Sequence, residues 1–106
     1  DARLHLSAVT IGEIQAGIEL TRLQDRAKAE QLSAWLDQLA ATYNVLPMDA
    51  SAFRAWAQLM HRKSDTVSED AMIAATAQVH GLTVVTRNLA DFRQFGVPLL
   101  DPFAAV

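Results

Sequence analysis

The stretch MIAATAQVHGLTVVT, residues 72–86, constrains this chain more than any other. Its first part extends EDAMIAATAQVH, a predicted helix with small residues nearly all round. Gly81 follows, the residue that most easily adopts the left-handed conformation closing a helix. Small residues let a helix lie close against a sheet. LTVVT is then continuously apolar, as expected of a buried parallel strand. A small-faced helix leading into such a strand is the building unit of an α/β sheet with helices packed on its faces.

The rest of the chain repeats that alternation. RLHLSAV sets Leu4, Leu6 and Ala8 against His5 and Ser7, a short strand pattern. TIGEIQAGIEL places Ile11, Ile14 and Ile18 at helical spacing behind Thr10. Over residues 26–43, Leu32, Trp35, Leu36, Leu39 and Tyr43 predict a long amphipathic helix. NVLPM reads as a short strand, with Pro47 arguing for an edge. Phe53, Trp56, Ala57 and Met60 form a third helical stripe. SDTVSED is a polar connection, RNLADFRQFG a loop with a short helix, and VPLLD a last short strand. The predicted fold is a three-layer α/β/α arrangement with a parallel sheet. Only four short strands are visible. Residues 1–106 therefore read as a single domain lacking an N-terminal strand–helix unit, and the natural protein is expected to begin upstream of Asp1.

Composition narrows the function. Of 106 residues 51% are hydrophobic, enough for one domain's core. No apolar run approaches the roughly 18 residues that span a bilayer, so no membrane role is expected. The chain has no cysteine, which excludes disulfides and thiolate metal sites and fits a reducing compartment. A net charge of −3 argues against a general nucleic-acid coat, and leaves room for an enzyme with a local basic patch. The Gly-rich phosphate loops, H-E-x-x-H and G-x-S-x-G are all absent.

The acids are more informative. A helix that follows a parallel strand starts near the strands' carboxyl edge, where open α/β sheets place their sites. Glu13, Asp70, Asn88 and Asp91 are all brought to that rim by the predicted topology. So are Asp49 and Asp101. Gathered carboxylates repel one another unless protonated or neutralised by a cation, and hard oxygen donors suit Mg²⁺ or Mn²⁺. Each acid also has a structural reading. Thr10 and Glu13 have the T-x-x-E spacing of a capping box. Asp70 near a helix N-terminus is favoured by the macrodipole alone. Asp49 before ASAF reads as an N-cap and Asp101 before Pro102 as a turn residue. His5, His61 and His80 have no ligand spacing, and HRK at 61–63 reads first as a solvated face. A phosphoacceptor receiver domain also gathers acids at a sheet rim. It needs a lysine after a late strand, and Lys28 and Lys63, the only lysines, do not follow LTVVT.

Three stretches, SAVTIGEIQAGIEL, EDAMIAATAQVHGLTVVTRNLADF and GVPLLDPF, resemble the PIN-domain ribonucleases. The likeness is to the VapC-type toxins of toxin–antitoxin pairs, and it runs in register across nearly the whole chain. It implies a cytoplasmic, metal-dependent endoribonuclease with a parallel sheet core and an acidic cluster binding Mg²⁺ or Mn²⁺. The family's acids fall on Glu13 and Asp70. Many relatives have Asp where this chain has Asn88, so Asp91 is expected to supply the last carboxylate. Asn88 is then expected to position water, with Thr86 supporting the cluster. Arg62, Lys63, Arg87 and Arg93 are candidate RNA contacts. The resemblance further implies a homodimer and a cognate VapB-type antitoxin, with apolar surface on the helices of residues 26–62 serving either contact. Nothing in residues 1–9 matches the family's first strand, whose Asp is a metal ligand. Its loss would split the core and leave this chain inactive or nearly so. A catalytically inactive PIN-like interaction module is the alternative.

Overall fold

Ser7 ends the first strand and starts the first helix. In the computed structural model, which describes residues 4–102, Ser7 is extended at φ −75° and ψ 138°. Its hydroxyl accepts the Val9 N–H at 3.1 Å, an N-cap bond. The first strand, β1, is therefore only His5–Ser7, and the helix α1 runs Ala8–Arg22. This corrects the capping-box reading. Thr10 is already inside the helix and Glu13 lies in its second turn. Ser7 takes the cap because it is the last extended residue before the helix and its hydroxyl reaches the first-turn N–H groups.

The chain divides into two compact units, residues 1–47 and 48–106. In the first, α1 is followed by α2 (Arg26–Thr42) and β2 (Asn44–Leu46). The Asp25 carboxylate caps α2 by accepting the Lys28 N–H at 3.0 Å. Ile18, Ala29 and Leu36 are buried, with Ile11, Ile14, Leu32 and Leu39 packed around them. The isoleucine stripe of α1 thus meets the leucine stripe of α2. Burial of each large side chain contributes on the order of 2 kcal/mol. Trp35, expected on that stripe, is 49% exposed. β1 and β2 pair in parallel, with Leu6 opposite Val45.

The second unit holds α3 (Ala50–Met60), α4 (Ser68–His80), β3 (Val84–Val85), α5 (Leu89–Phe92) and β4 (Leu99–Leu100). Asp49 is the N-cap of α3, its carboxylate accepting the Ala52 N–H at 3.0 Å. Gly81, at φ 64°, closes α4, and the Leu82 N–H reaches back to the Ala77 carbonyl at 2.8 Å. The core is built from Ala71, Ala74 and Ala77 of α4 with Val84, Phe92, Phe95 and Val97. α3 and α4 pack together, and small residues occupy the buried side of each. On α3 these are Ala52 and Ala55, whereas Phe53, expected in the stripe, is 45% exposed. The Trp56 indole N–H donates to the Ser68 carbonyl at 3.1 Å, tying the last turns of α3 to the first of α4.

Helix α3 ends in a tight turn. His61 has φ −55° and ψ 120°, Arg62 has φ 64°, and the Lys63 N–H donates to the Met60 carbonyl at 2.9 Å. These are the features of a type II turn with Arg62 in its third position, which requires positive φ and normally holds Gly or Asn. Arginine there costs on the order of 1 kcal/mol in backbone strain.

β3 and β4 are parallel, joined by Val84 N–H to the Pro98 carbonyl (2.9 Å) and Thr86 N–H to the Leu100 carbonyl (3.0 Å). Alternation along a strand turns the Val85 N–H and carbonyl away from β4. LTVVT is therefore not a strand buried throughout: Val84 is buried and Val85 is 50% exposed. The described strands form two parallel pairs, β1–β2 and β3–β4.

Candidate functional site

Asp70 lies in the first turn of α4 beside Glu69. Val67, the cap residue, makes no side-chain cap bond, and the two acids stand in the first turn, where the helix dipole favours negative charge. That explains why acids occur here and does not say which one is used. Asp70 is half-buried. Its pKa is raised above the ordinary 3.8, first by burial, then by the negative charge of Asp91, then by Glu69.

Asp91 comes to this place through the loop after β3. The Thr86 hydroxyl accepts the Asn88 N–H at 3.0 Å, turning the chain as soon as the strand ends. The Asp91 N–H donates to the Asn88 carbonyl at 3.1 Å, closing the single turn of α5. Thr86 and Asn88 thus shape the loop that carries Asp91. The Asp91 side chain is exposed. Two carboxylates from different helices therefore share one region of the second unit, and one is disfavoured as an anion partly because of the other.

The other expected site residues are distributed more widely. Arg87 and Arg93 are exposed and flank α5. Arg62 is exposed and Lys63 half-buried in the turn after α3. Glu13 is exposed on α1, in the first unit. Of the two further acids that topology admitted, Asp49 is engaged as the cap of α3, and Asp101 directly follows β4. Glu69 was missed by sequence reasoning. Its signal was adjacency, since the pair ED opens the small-residue helix. Among the described residues, no group of three or more His, Asp or Glu side chains is arranged to hold a metal ion.

The sequence matches the PIN domain over residues 1–97, across both units. The chain belongs to the PIN-domain family. It is 33% identical to the VapC ribonuclease Y4jK of Sinorhizobium fredii over 94% of this chain and 75% of that protein. The fold is similar to that of FitAcB from Neisseria gonorrhoeae, with a TM-score of 0.80 and 29% identity, covering 94% of this chain and 76% of the other. It is likewise similar to DNA-bound VapBC from Salmonella typhimurium, with a TM-score of 0.77 and 28% identity over 93% and 75% of the two chains. The α/β fold with parallel strands expected from sequence is thus a PIN fold, and it is rich in helix. No helix among the described residues is long and apolar enough to cross a membrane.

Proposed function

We propose that this PIN-domain protein is a metal-dependent endoribonuclease toxin of a type II toxin–antitoxin module, acting in the cytoplasm. The observation that carries the reading is that Asp91, on a helix packed against α4, adds its charge to the field that disfavours the Asp70 anion, in a chain whose relatives include a VapC ribonuclease. The donor set fits a hard divalent cation. Mg²⁺ is commonly held by one or two carboxylates together with water and substrate phosphates, and a cation beside Asp70 would offset the negative charge that disfavours its anion.

Asp70 and Asp91 would hold Mg²⁺ or Mn²⁺, with Glu13 as a further acid in the same reaction on the strength of the family resemblance. Such an ion, when bound, stabilises charge on a phosphate and makes water a better nucleophile near neutral pH. The protein's own part is positional. Asp70, half-buried at a helix start, is a rigid donor. Asp91, on the short helix α5 that follows the Thr86–Asn88 turn, orients water beside it, with the Asn88 amide as a second water contact. Arg87 and Arg93 bind RNA phosphates on either side of α5.

The structural neighbours FitAcB and VapBC support a VapB-type antitoxin as partner. The exposed Trp35 and Phe53 are apolar surface suited to that contact or to a homodimer. The test uses the intact protein with its antitoxin removed. RNA cleavage in Mg²⁺ that stops with EDTA, and with Asp70→Asn or Glu13→Gln, is the expected result. Folded protein that cleaves no RNA in either cation would instead favour an inactive interaction module.

A further inference from the structure

The turn ending α3 holds a residue its backbone does not favour. Third position in a type II turn is where glycine is expected, and Arg62 occupies it at φ 64°. The side chain does nothing visible for the fold in return. Arg62 is exposed, and among the described residues it forms no ion pair with a carboxylate. Met60 and Lys63 close the turn through backbone atoms alone, so glycine would make the same turn with less strain.

Position supplies a reason for arginine. The bond from the Trp56 indole to the Ser68 carbonyl sets the end of α3 beside the start of α4. Between them the chain makes only the Arg62–Lys63 turn and the short 3₁₀ segment Asp65–Val67. Arg62 therefore stands at the end of the second unit where α4 presents Asp70. Asp65 and Glu69 lie at this end too, so an approaching phosphate meets negative charge unless a fixed cation offsets it. A guanidinium can grip phosphate with two parallel hydrogen bonds, and a tight turn holds its root still.

We propose that Arg62 is an RNA-phosphate anchor, kept at a strained turn position so that it places the RNA strand against the Asp70–Asp91 end of the unit. This rests on the ribonuclease reading. It differs from a generic basic patch in requiring that one arginine be used at a cost in stability.

The test compares the intact wild type with Arg62→Gly, Arg62→Asn and Arg62→Lys. Binding of a fluorescently labelled single-stranded RNA is measured in EDTA over a range of salt concentrations, alongside cleavage in Mg²⁺, thermal midpoint and antitoxin binding. Arg62→Gly and Arg62→Asn are expected to weaken RNA binding about tenfold and flatten its salt dependence by about one phosphate contact. Their thermal midpoint is expected to equal or exceed that of the wild type, with antitoxin binding intact. Arg62→Lys should fall between. RNA affinity of Arg62→Gly within about twofold of the wild type would overturn the proposal. So would a lowered midpoint, which would give the side chain a structural role, or loss of antitoxin binding with RNA binding retained. A wild type that binds RNA without cleaving it would sink the ribonuclease reading, and the EDTA binding series would then still decide Arg62. A wild type that binds no RNA would overturn both.

Discussion

Asp91 raises the pKa of Asp70. The effect adds to that of burial, and Glu69 contributes a smaller share in the same direction. An acid on α4 and an acid on α5 are thereby linked, and the link can be measured.

The folded state holds Asp70 above the ordinary value of 3.8, so it binds the proton more tightly than the unfolded chain does. The stability this contributes is full below about pH 3.8 and is lost as pH rises through the elevated value. Asp91→Asn should lower the Asp70 titration midpoint without returning it to 3.8, because burial remains. Carboxyl NMR of Asp70 checks this; an unmoved midpoint would show that the two acids are not coupled.

Asp70→Asn removes a disfavoured charge. Its thermal midpoint at neutral pH should rise above that of the wild type. Millimolar Mg²⁺ should raise the wild-type midpoint and leave that of Asp70→Asn unchanged, since a ligand stabilises only the state that binds it. RNA cleavage by the variant should fall by about a hundredfold or more. Thermal melts with and without Mg²⁺, beside a cleavage assay, separate these outcomes.

Ser7, rather than the Thr10–Glu13 pair, caps α1. Ser7→Ala should cost about 1 kcal/mol in urea unfolding through the Val9 N–H it leaves unsatisfied. Glu13→Gln should reduce RNA cleavage about a hundredfold while circular dichroism stays native. Full activity in Glu13→Gln would end its assignment to the chemistry.

Trp56→Phe keeps the ring and loses the indole N–H that meets the Ser68 carbonyl. The expected destabilisation is about 1 kcal/mol. Hydrogen exchange should show the first turn of α4 opening more readily, with the rest of that helix unchanged.

Much of this was legible along the chain. The isoleucine spacing of α1, the Asp49 cap, the alanine-rich α4 and its Gly81 closure depend on residues within a few positions of one another. Periodicity and backbone preference encode such features directly. Signals of equal local strength were harder to rank. Ser7 and Thr10 are both good caps, and the choice between them was made by where β1 stops pairing with β2. Trp35 and Phe53 fit their helical stripes by spacing, yet both are exposed. Which face of a helix is covered depends on the shape of its neighbour, and α3 meets a helix of alanines.

The acids divide in the same way. Their residue types belong to the sequence, as do the places of Asp49 and Asp70 at helix starts and the resemblance that singled out Glu13, Asp70 and Asp91. That Asp49 is spent on its own helix, that Glu69 joins the field at Asp70, and that Asp91 reaches Asp70 at all were decided by tertiary structure. Closing the loop between α4 and α5 costs chain entropy that no local pattern records. It is offset by packing Phe92, Phe95 and Val97 with the alanines of α4 and with Val84, and that core is what holds α5, and Asp91 on it, against α4.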